Sequence, residues 1–151
     1  MELFEQAISV RWADLDPNGH VRHSVFYEYG AQVRIAFLQK YGFDIDWMKR
    51  NQIGPVLFRE EAKFYRELNS GDDLRIDMKL CRLSDDHRKW SLRHEIRRGE
   101  ELCATLEMDG AWFDLKARRV VPPPRDLLEK FAYLNHTEDF SVTTSKKKVG
   151  F

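Results

Sequence analysis

Apolar and polar positions along this chain follow two different periods. Residues 4–12 are mostly β-compatible and predict a first strand. From Val25 or Phe26 onward, apolar residues recur about every four positions, through Tyr29, Val33, Phe37 and Tyr41, which places them on one face of a long helix ending near Lys40. Ser24 is placed to cap the start of that helix, and Gly42 stands just past its end, where glycine often follows a helix. Residues 44–53, with Trp47 and Met48, form a connection with room for one further helical turn.

Beyond Pro55 the period drops to two. Residues 56–65 alternate and end at the turn Asn69-Ser70-Gly71-Asp72. Leu74, Ile76, Met78 and Leu80 alternate with Arg75, Asp77, Lys79 and Cys81. After a turn at Ser84-Asp85-Asp86, Trp90, Leu92, His94 and Ile96 alternate with Ser91, Arg93, Glu95 and Arg97. Gly99-Glu100 turns the chain into residues 102–106 and then 111–115, with Asp109-Gly110 expected to form a bulge. Short turns between these strands predict an antiparallel meander. Pro122-Pro123-Pro124 ends the strands, residues 126–134 read as a short helix, and residues 135–151 read as a polar tail with the charge run Lys146-Lys147-Lys148. A sheet with one apolar face needs a cover, and the helix supplies it. The expected fold is therefore α+β, with an antiparallel sheet of about five strands wrapped around one central helix. The expected organisation is a single domain over residues 1–134 followed by the tail.

The 151 residues suffice for one domain with its own core, and 42% hydrophobic with 33% charged residues is a globular composition. A formal net charge of zero gives no global field to hold nucleic acid. No apolar run approaches the ~20 residues of a membrane span. The N-terminus lacks the basic and apolar regions of a signal peptide. Cys81 and Cys103 lie in separate strand patterns and are expected to be free thiols, which fits a cytoplasmic protein.

Chemistry is concentrated between strand and helix, in Asp14-Leu15-Asp16-Pro17-Asn18-Gly19-His20-Val21-Arg22-His23. The turn formers make this loop tight, and its carboxylates precede a helix N-terminus, whose unpaired N–H groups favour negative charge. A calcium loop opens similarly, but its twelfth position needs a Glu and here is Val25, and Pro17 interrupts it. His20 and His23 lack the further ligands of a zinc site, and no G-x-S-x-G motif is present. No metal and no cofactor is expected. What remains is a carboxylate beside N–H groups able to hold an oxyanion, which suffices where the leaving group is a thiolate, whose conjugate acid has a pKa of about 8.5.

Val10-Arg11-Trp12-Ala13-Asp14-Leu15-Asp16-Pro17-Asn18-Gly19-His20-Val21, followed by Tyr29 and Arg34, resembles the opening motif of the hot-dog-fold acyl-CoA thioesterases of the 4-hydroxybenzoyl-CoA thioesterase family. The order of strands and helix agrees over about residues 4–124. The resemblance implies an acyl-CoA thioesterase. Its catalytic carboxylate, the second Asp of D-x-D, falls on Asp16, and its oxyanion hole at the helix start falls near His23. A functional histidine known in a subgroup associated with the bacterial Tol-Pal system also falls on His23. Departures are Arg22-His23, where many relatives have Asn-Asn, and Ala31, where an acidic residue is common.

The expected site therefore comprises Asp16 and His23 as catalytic residues, with Gly19, His20 and Glu60 at the substrate. Each has a plainer reading: Asp16 as a turn aspartate, His20 as a loop stabiliser, His23 as a cap, and Glu60 as a carboxylate on the apolar face held by a polar partner. Asp14 reads as a turn former, and His94 as a packing residue. The expected partner is acyl-CoA, with an acyl-carrier-protein thioesterase or a non-catalytic acyl-CoA-binding module as alternatives. A homodimer or homotetramer is expected, since strand edges over residues 73–83 or 102–115 would otherwise stand open.

Overall fold

The computed structural model describes residues 1–145, so the Lys146-Lys147-Lys148 run lies outside the described residues. In chain order the elements are β1 (Phe4–Ile8), a 3-10 turn (Trp12–Asp14), α1 (His23–Lys40), α2 (Ile45–Asn51), β2 (Ile53–Phe64), β3 (Leu74–Ser84), β4 (Lys89–Arg98), β5 (Glu101–Asp114), β6 (Arg119–Val120), α3 (Arg125–Ala132) and β7 (His136–Thr143). The main sheet order is β1-β3-β4-β5-β2, antiparallel throughout, with β6 added to β5 and β7 added in parallel to β3. The apolar face of α1 (Val25, Phe26, Tyr29, Val33 and Phe37) is buried against Ile76, Met78, Leu92, Ile96 and Leu106 of the sheet. The expected α+β arrangement, a sheet curled around one long helix, is the one observed.

Several local expectations are corrected. β1 stops at Ile8 because its partner β3 begins opposite it, at Leu74, and Trp12 lies in the 3-10 turn, 90% exposed. α1 begins at His23, and Arg22 rather than Ser24 holds the cap position, without a side-chain cap. Residues 102–106 and 111–114 belong to one strand, β5, which ends before Leu115. The extra residue is Phe58 on the opposing β2, where the register shifts between Leu57 and Arg59. Gly110 stands beside this irregularity, where a side chain would strike the Trp90 ring and the Val56 carbonyl, and β5 carries an irregularity of its own against β4 at Cys103.

Part of the expected tail is strand. β1 covers β3 over Phe4↔Met78 to Ile8↔Leu74, and β7 covers the rest of the same edge through Arg82↔Ser141 and Leu83↔Val142. Residues 73–83 and 102–115 are thus interior, paired on both sides over most of their length. The long open edge is β2, paired only with β5, and this is also where Pro55 is tolerated. Leu57, Phe58, Phe64 and the following Tyr65 are exposed along it. Cys81 and Cys103 are buried free thiols. Among the described residues, no helix is long and apolar enough to cross a membrane.

Candidate active site

The two carboxylates of the loop have different surroundings. Asp14 is fully buried, and both its oxygens are occupied. Oδ1 accepts from Arg11 Nε at 3.0 Å and Nη2 at 2.7 Å, while Oδ2 accepts from the Arg11 backbone N–H at 2.9 Å and from Tyr29 Oη at 3.0 Å. Burial would raise the pKa of Asp14, but the Arg11 and Tyr29 hydrogen bonds outweigh it and hold the carboxyl below its ordinary value. The Tyr29 hydroxyl is pushed in the opposite direction, by burial first and then by Asp14. Asp14 also accepts the Arg22 N–H on its backbone carbonyl at 2.8 Å, and Arg22 returns its guanidinium to the carbonyls of Ala13 and Leu15. Asp14 is therefore the anchor of the loop, a larger role than turn formation.

Asp16 is half-buried and only half used. Its Oδ1 accepts from the N–H groups of Asn18 at 2.9 Å and His20 at 3.1 Å, and among the described residues Oδ2 has no hydrogen-bond partner. The turn closes through Asp16 N–H to His20 O at 2.7 Å and Gly19 N–H to Asp16 O at 3.0 Å, with Gly19 at φ +80°, a conformation that suits glycine. Val21 N–H donates to Leu68 O, and His20 bridges Asn69, so the loop is pinned to the connection between β2 and β3. Directly after it, the exposed His23 opens α1 with no side chain capping the first N–H groups, leaving the positive helix end available to an anion. The turn's hydrogen bonds thus join Asp16, Gly19 and His20, and His23 follows three residues later at the helix start.

Glu60 lies elsewhere, on the helix-facing side of β2 opposite Met108, with Arg34 Nη2 3.8 Å from its Oε1. That oxygen is buried and has no hydrogen-bond partner. Arg34 Nη1 meets His94 Nε2 at 3.1 Å and Met108 Sδ at 3.6 Å, while His94 Nδ1 lies 2.8 Å from Asp77 O. A carbonyl only accepts and a guanidinium only donates, so His94 is neutral, with its proton on Nδ1. Burial, helped by the Arg34 charge, pushes its pKa down to about 3. Burial also lowers the Arg34 pKa, against the opposing pull of Glu60. Gly30 makes room for this group: a Cβ there would stand 3.1 Å from Arg34 Nη1 and 3.3 Å from His94 Cδ2. Among the described residues, Arg34 is the one charged residue lining an otherwise apolar cavity of about 350 Å³ between α1, the sheet and α3, whose walls include Leu38, Leu57, Trp90, Trp112 and Phe131.

His94 packs in the core as its strand parity predicts. Its partnership with Arg34 was not read from the chain; the available signal was two groups of opposite charge, Arg34 and Glu60, both on faces turned toward the core. Among the described residues, no three His, Cys, Asp or Glu side chains are grouped to hold a metal ion.

A curled antiparallel sheet on one central helix, with a carboxylate loop leading into the helix, defines the hot-dog thioesterase class of hydrolases. Residues 10–131 match the model of the Thioesterase-like superfamily, and the chain belongs to that family. A 1,4-dihydroxy-2-naphthoyl-CoA hydrolase of Microcystis aeruginosa is 26% identical over 106 residues, covering 70% of this chain and 75% of that protein. Slr0204, a 1,4-dihydroxy-2-naphthoyl-CoA thioesterase from Synechocystis, shares the fold with a TM-score of 0.78 at 18% identity, over 90% of this chain and 100% of that one. Staphylococcus aureus SAV2348, solved in complex with CoA, shares it with a TM-score of 0.81 at 17% identity, over 90% and 87%.

Proposed function

We propose that this protein hydrolyses an acyl-CoA thioester to the free acid and CoA, with Asp16 as nucleophile or general base. The observation that carries this reading is the state of Asp16: one carboxylate oxygen locked by two backbone N–H groups, the other without a hydrogen-bond partner among the described residues, in the loop that leads into an uncapped helix start. The locked oxygen fixes the orientation of the carboxylate. The free one either attacks the thioester carbon or takes a proton from water that does. In both routes the carbonyl oxygen gains negative charge, to which the N–H groups of His23 and Ser24 can donate, and the C–S bond breaks to release CoA thiolate; in the first route water then hydrolyses the acyl–Asp16 anhydride to the free acid and restores the carboxylate. Gly19 and His20 flank the substrate, and Glu60 acts through Arg34 at the acyl cavity. The CoA-thioester substrates named for relatives support the substrate class.

The cavity begins at Ala31, eight residues into α1, or about 12 Å along the helix from His23. A small acyl group attached at Asp16 would not reach it within one chain, but a second copy would bring one there. Two-fold pairing of β2 edges sets the Ile53 end of one strand beside the Phe64 end of the other. Pro55 and Leu57 line the cavity, and Phe64 packs on Phe26 in the first turn of α1, with ring centroids 4.9 Å apart. The reading is therefore a homodimer whose sites each combine the loop of one copy with the cavity of the other.

The test is thiol release from a panel of acyl-CoAs by wild type and Asp16→Asn. Asparagine keeps an acceptor for the turn but cannot act as nucleophile or base, so kcat should fall at least ~10²-fold with folding intact. Near wild-type kcat in Asp16→Asn would overturn the assignment.

A further inference from the structure

We infer that the end of the molecule formed by α2 and the turn after β5 docks an acidic carrier protein, so that thioesters borne on a protein's arm reach Asp16 as well as those of CoA. This rests on the thioesterase reading for the chemistry and on the paired β2 edges for the placement. Lys49 and Arg50 stand in the last turn of α2, and Lys116, Arg118 and Arg119 follow β5. All five are exposed, and among the described residues none forms an ion pair. Leu115 N–H donates to Gln52 O at 2.9 Å and Ile53 pairs with Asp114, so the helix end and the turn make one surface. Within these two segments only Asp46 and Asp114 oppose the cations, and Asp114 Oδ1 is engaged by the N–H groups of Lys116 at 2.9 Å and Ala117 at 2.8 Å. In a chain whose formal net charge is zero, this is a strong local excess of positive charge.

Two further features identify the occupant. Ile45, one helical turn before Lys49 on the same face, is 57% exposed, and Leu115 is 42% exposed. Cations beside exposed apolar side chains, spread over a helix face and a turn, match a protein surface that presents acidic groups around an apolar centre. The second feature is position. When β2 edges pair two-fold, the Ile53 end of one copy lies beside the Phe64 end of the other. The turn after β5 is then about two strand spacings, roughly 10 Å, from that Phe64. Phe64 packs on Phe26 in the first turn of α1, with ring centroids 4.9 Å apart. The basic surface of one copy therefore flanks the Asp16 loop of the other. A carrier docked there holds its thioester on a flexible arm beside that loop, whereas a membrane or a nucleic acid has no group for Asp16 to attack. The reaction is the same one: water adds to the acyl carbon, the C–S bond breaks, and the arm's sulfur leaves as the thiolate.

The experiment uses the full chain and a bacterial acyl carrier protein as probe, in its free-thiol form for binding and charged, for turnover, with the acyl group that the wild type hydrolyses fastest from CoA. Fluorescence anisotropy of the labelled carrier should report binding that weakens as ionic strength rises. Lys49→Glu combined with Arg119→Glu should weaken it at least ~10-fold and lower kcat/KM for the carrier thioester by a similar factor. For the matching acyl-CoA, kcat/KM should change little. Lys49→Gln with Arg119→Gln, which removes charge without reversing it, should fall between wild type and the reversed pair, and it decides if the reversed pair does not fold. No carrier binding by wild type, or binding unchanged in the variants, overturns the inference. Equal losses for the carrier thioester and the acyl-CoA overturn it too, since the surface would then serve the phosphates of CoA. Carrier binding without hydrolysis of any thioester would sink the hydrolase reading alone, and acyl-CoA hydrolysis without carrier binding would sink this one alone.

Discussion

Tyr29 Oη donates to Asp14 Oδ2 across 3.0 Å, joining the second turn of the central helix to the loop that carries Asp16. Because Arg11 occupies the remaining acceptor sites, Asp14 has no lone pair left for chemistry, whereas Oδ2 of Asp16 accepts no hydrogen bond among the described residues. Asp14→Asn puts an amide N–H against donors in a buried site, which should cost about 1–3 kcal/mol. For a chain of this size that lowers Tm by roughly 3–10 °C. Asp16→Asn, half-exposed and with its turn acceptor preserved, should stay within about 1 kcal/mol of wild type. Thermal unfolding of the two variants side by side checks this, and an Asp14→Asn protein as stable as wild type would remove the anchor role.

The same hydrogen bonds set a pH dependence with two limbs. The Asp14 carboxyl lies below its ordinary value in the folded protein, so its contribution to stability is present above the unfolded pKa of about 3.9 and is lost as pH falls through the folded value. The Tyr29 hydroxyl is raised, so the folded chain keeps a proton that the unfolded chain releases near pH 10, and stability declines as pH rises past that point. Denaturant titrations from acid to alkali should show a shallower acid limb in Asp14→Asn and a shallower alkaline limb in Tyr29→Phe, each compared with wild type. Parallel curves for wild type and variants would show that the network does not control either limb.

Gly110 offers a sharper test of packing. A Cβ there meets Trp90 Cη2 and Cζ2 and lies 2.6 Å from the carbonyl oxygen of Val56, an atom of the paired β2 backbone that has no rotamer to escape into. Gly110→Ala should therefore cost about 3 kcal/mol or more. Gly54→Ala, whose nearest neighbour would be the flexible Met48 Sδ at 3.9 Å, should cost less than about 1 kcal/mol. Chemical denaturation of both distinguishes a position that needs glycine from one that merely has it.

What the chain disclosed beforehand follows the range of each interaction. The stripe from Val25 to Phe37 and the alternation from Leu74 to Ile96 are local patterns, and both elements stand where those patterns put them. The end of β1, the strand character of β7 and the open edge at β2 depend on which distant segment completes the ladder, and no local period encodes that. The bulge expected at Asp109-Gly110 has its extra residue, Phe58, on the strand opposite that pair, a pairing no local pattern encodes. At the site, the motif singled out Asp16 over Asp14. The contacts that distinguish them, with Tyr29 fifteen residues away and with the N–H groups of Asn18 and His20, exist only in the folded loop.

The open edge of β2 leads to the final prediction, which concerns how the site is assembled. If each site joins the Asp16 loop of one copy to the cavity of another, two inactive variants should rescue each other. Asp16→Asn lacks the carboxylate but keeps the cavity. Ala31→Trp keeps the carboxylate but fills the cavity mouth, at a helix position exposed in the single chain. Refolded together at equal amounts, half the dimers are mixed, and in each mixed dimer one of the two sites is intact, so about one quarter of wild-type activity should return. A site contained within one chain would give no recovery above the separate variants. Sedimentation of the wild type at assay concentration completes the test: a fully active monomer would refute the shared site, since the β2 edge would then be open in the working enzyme.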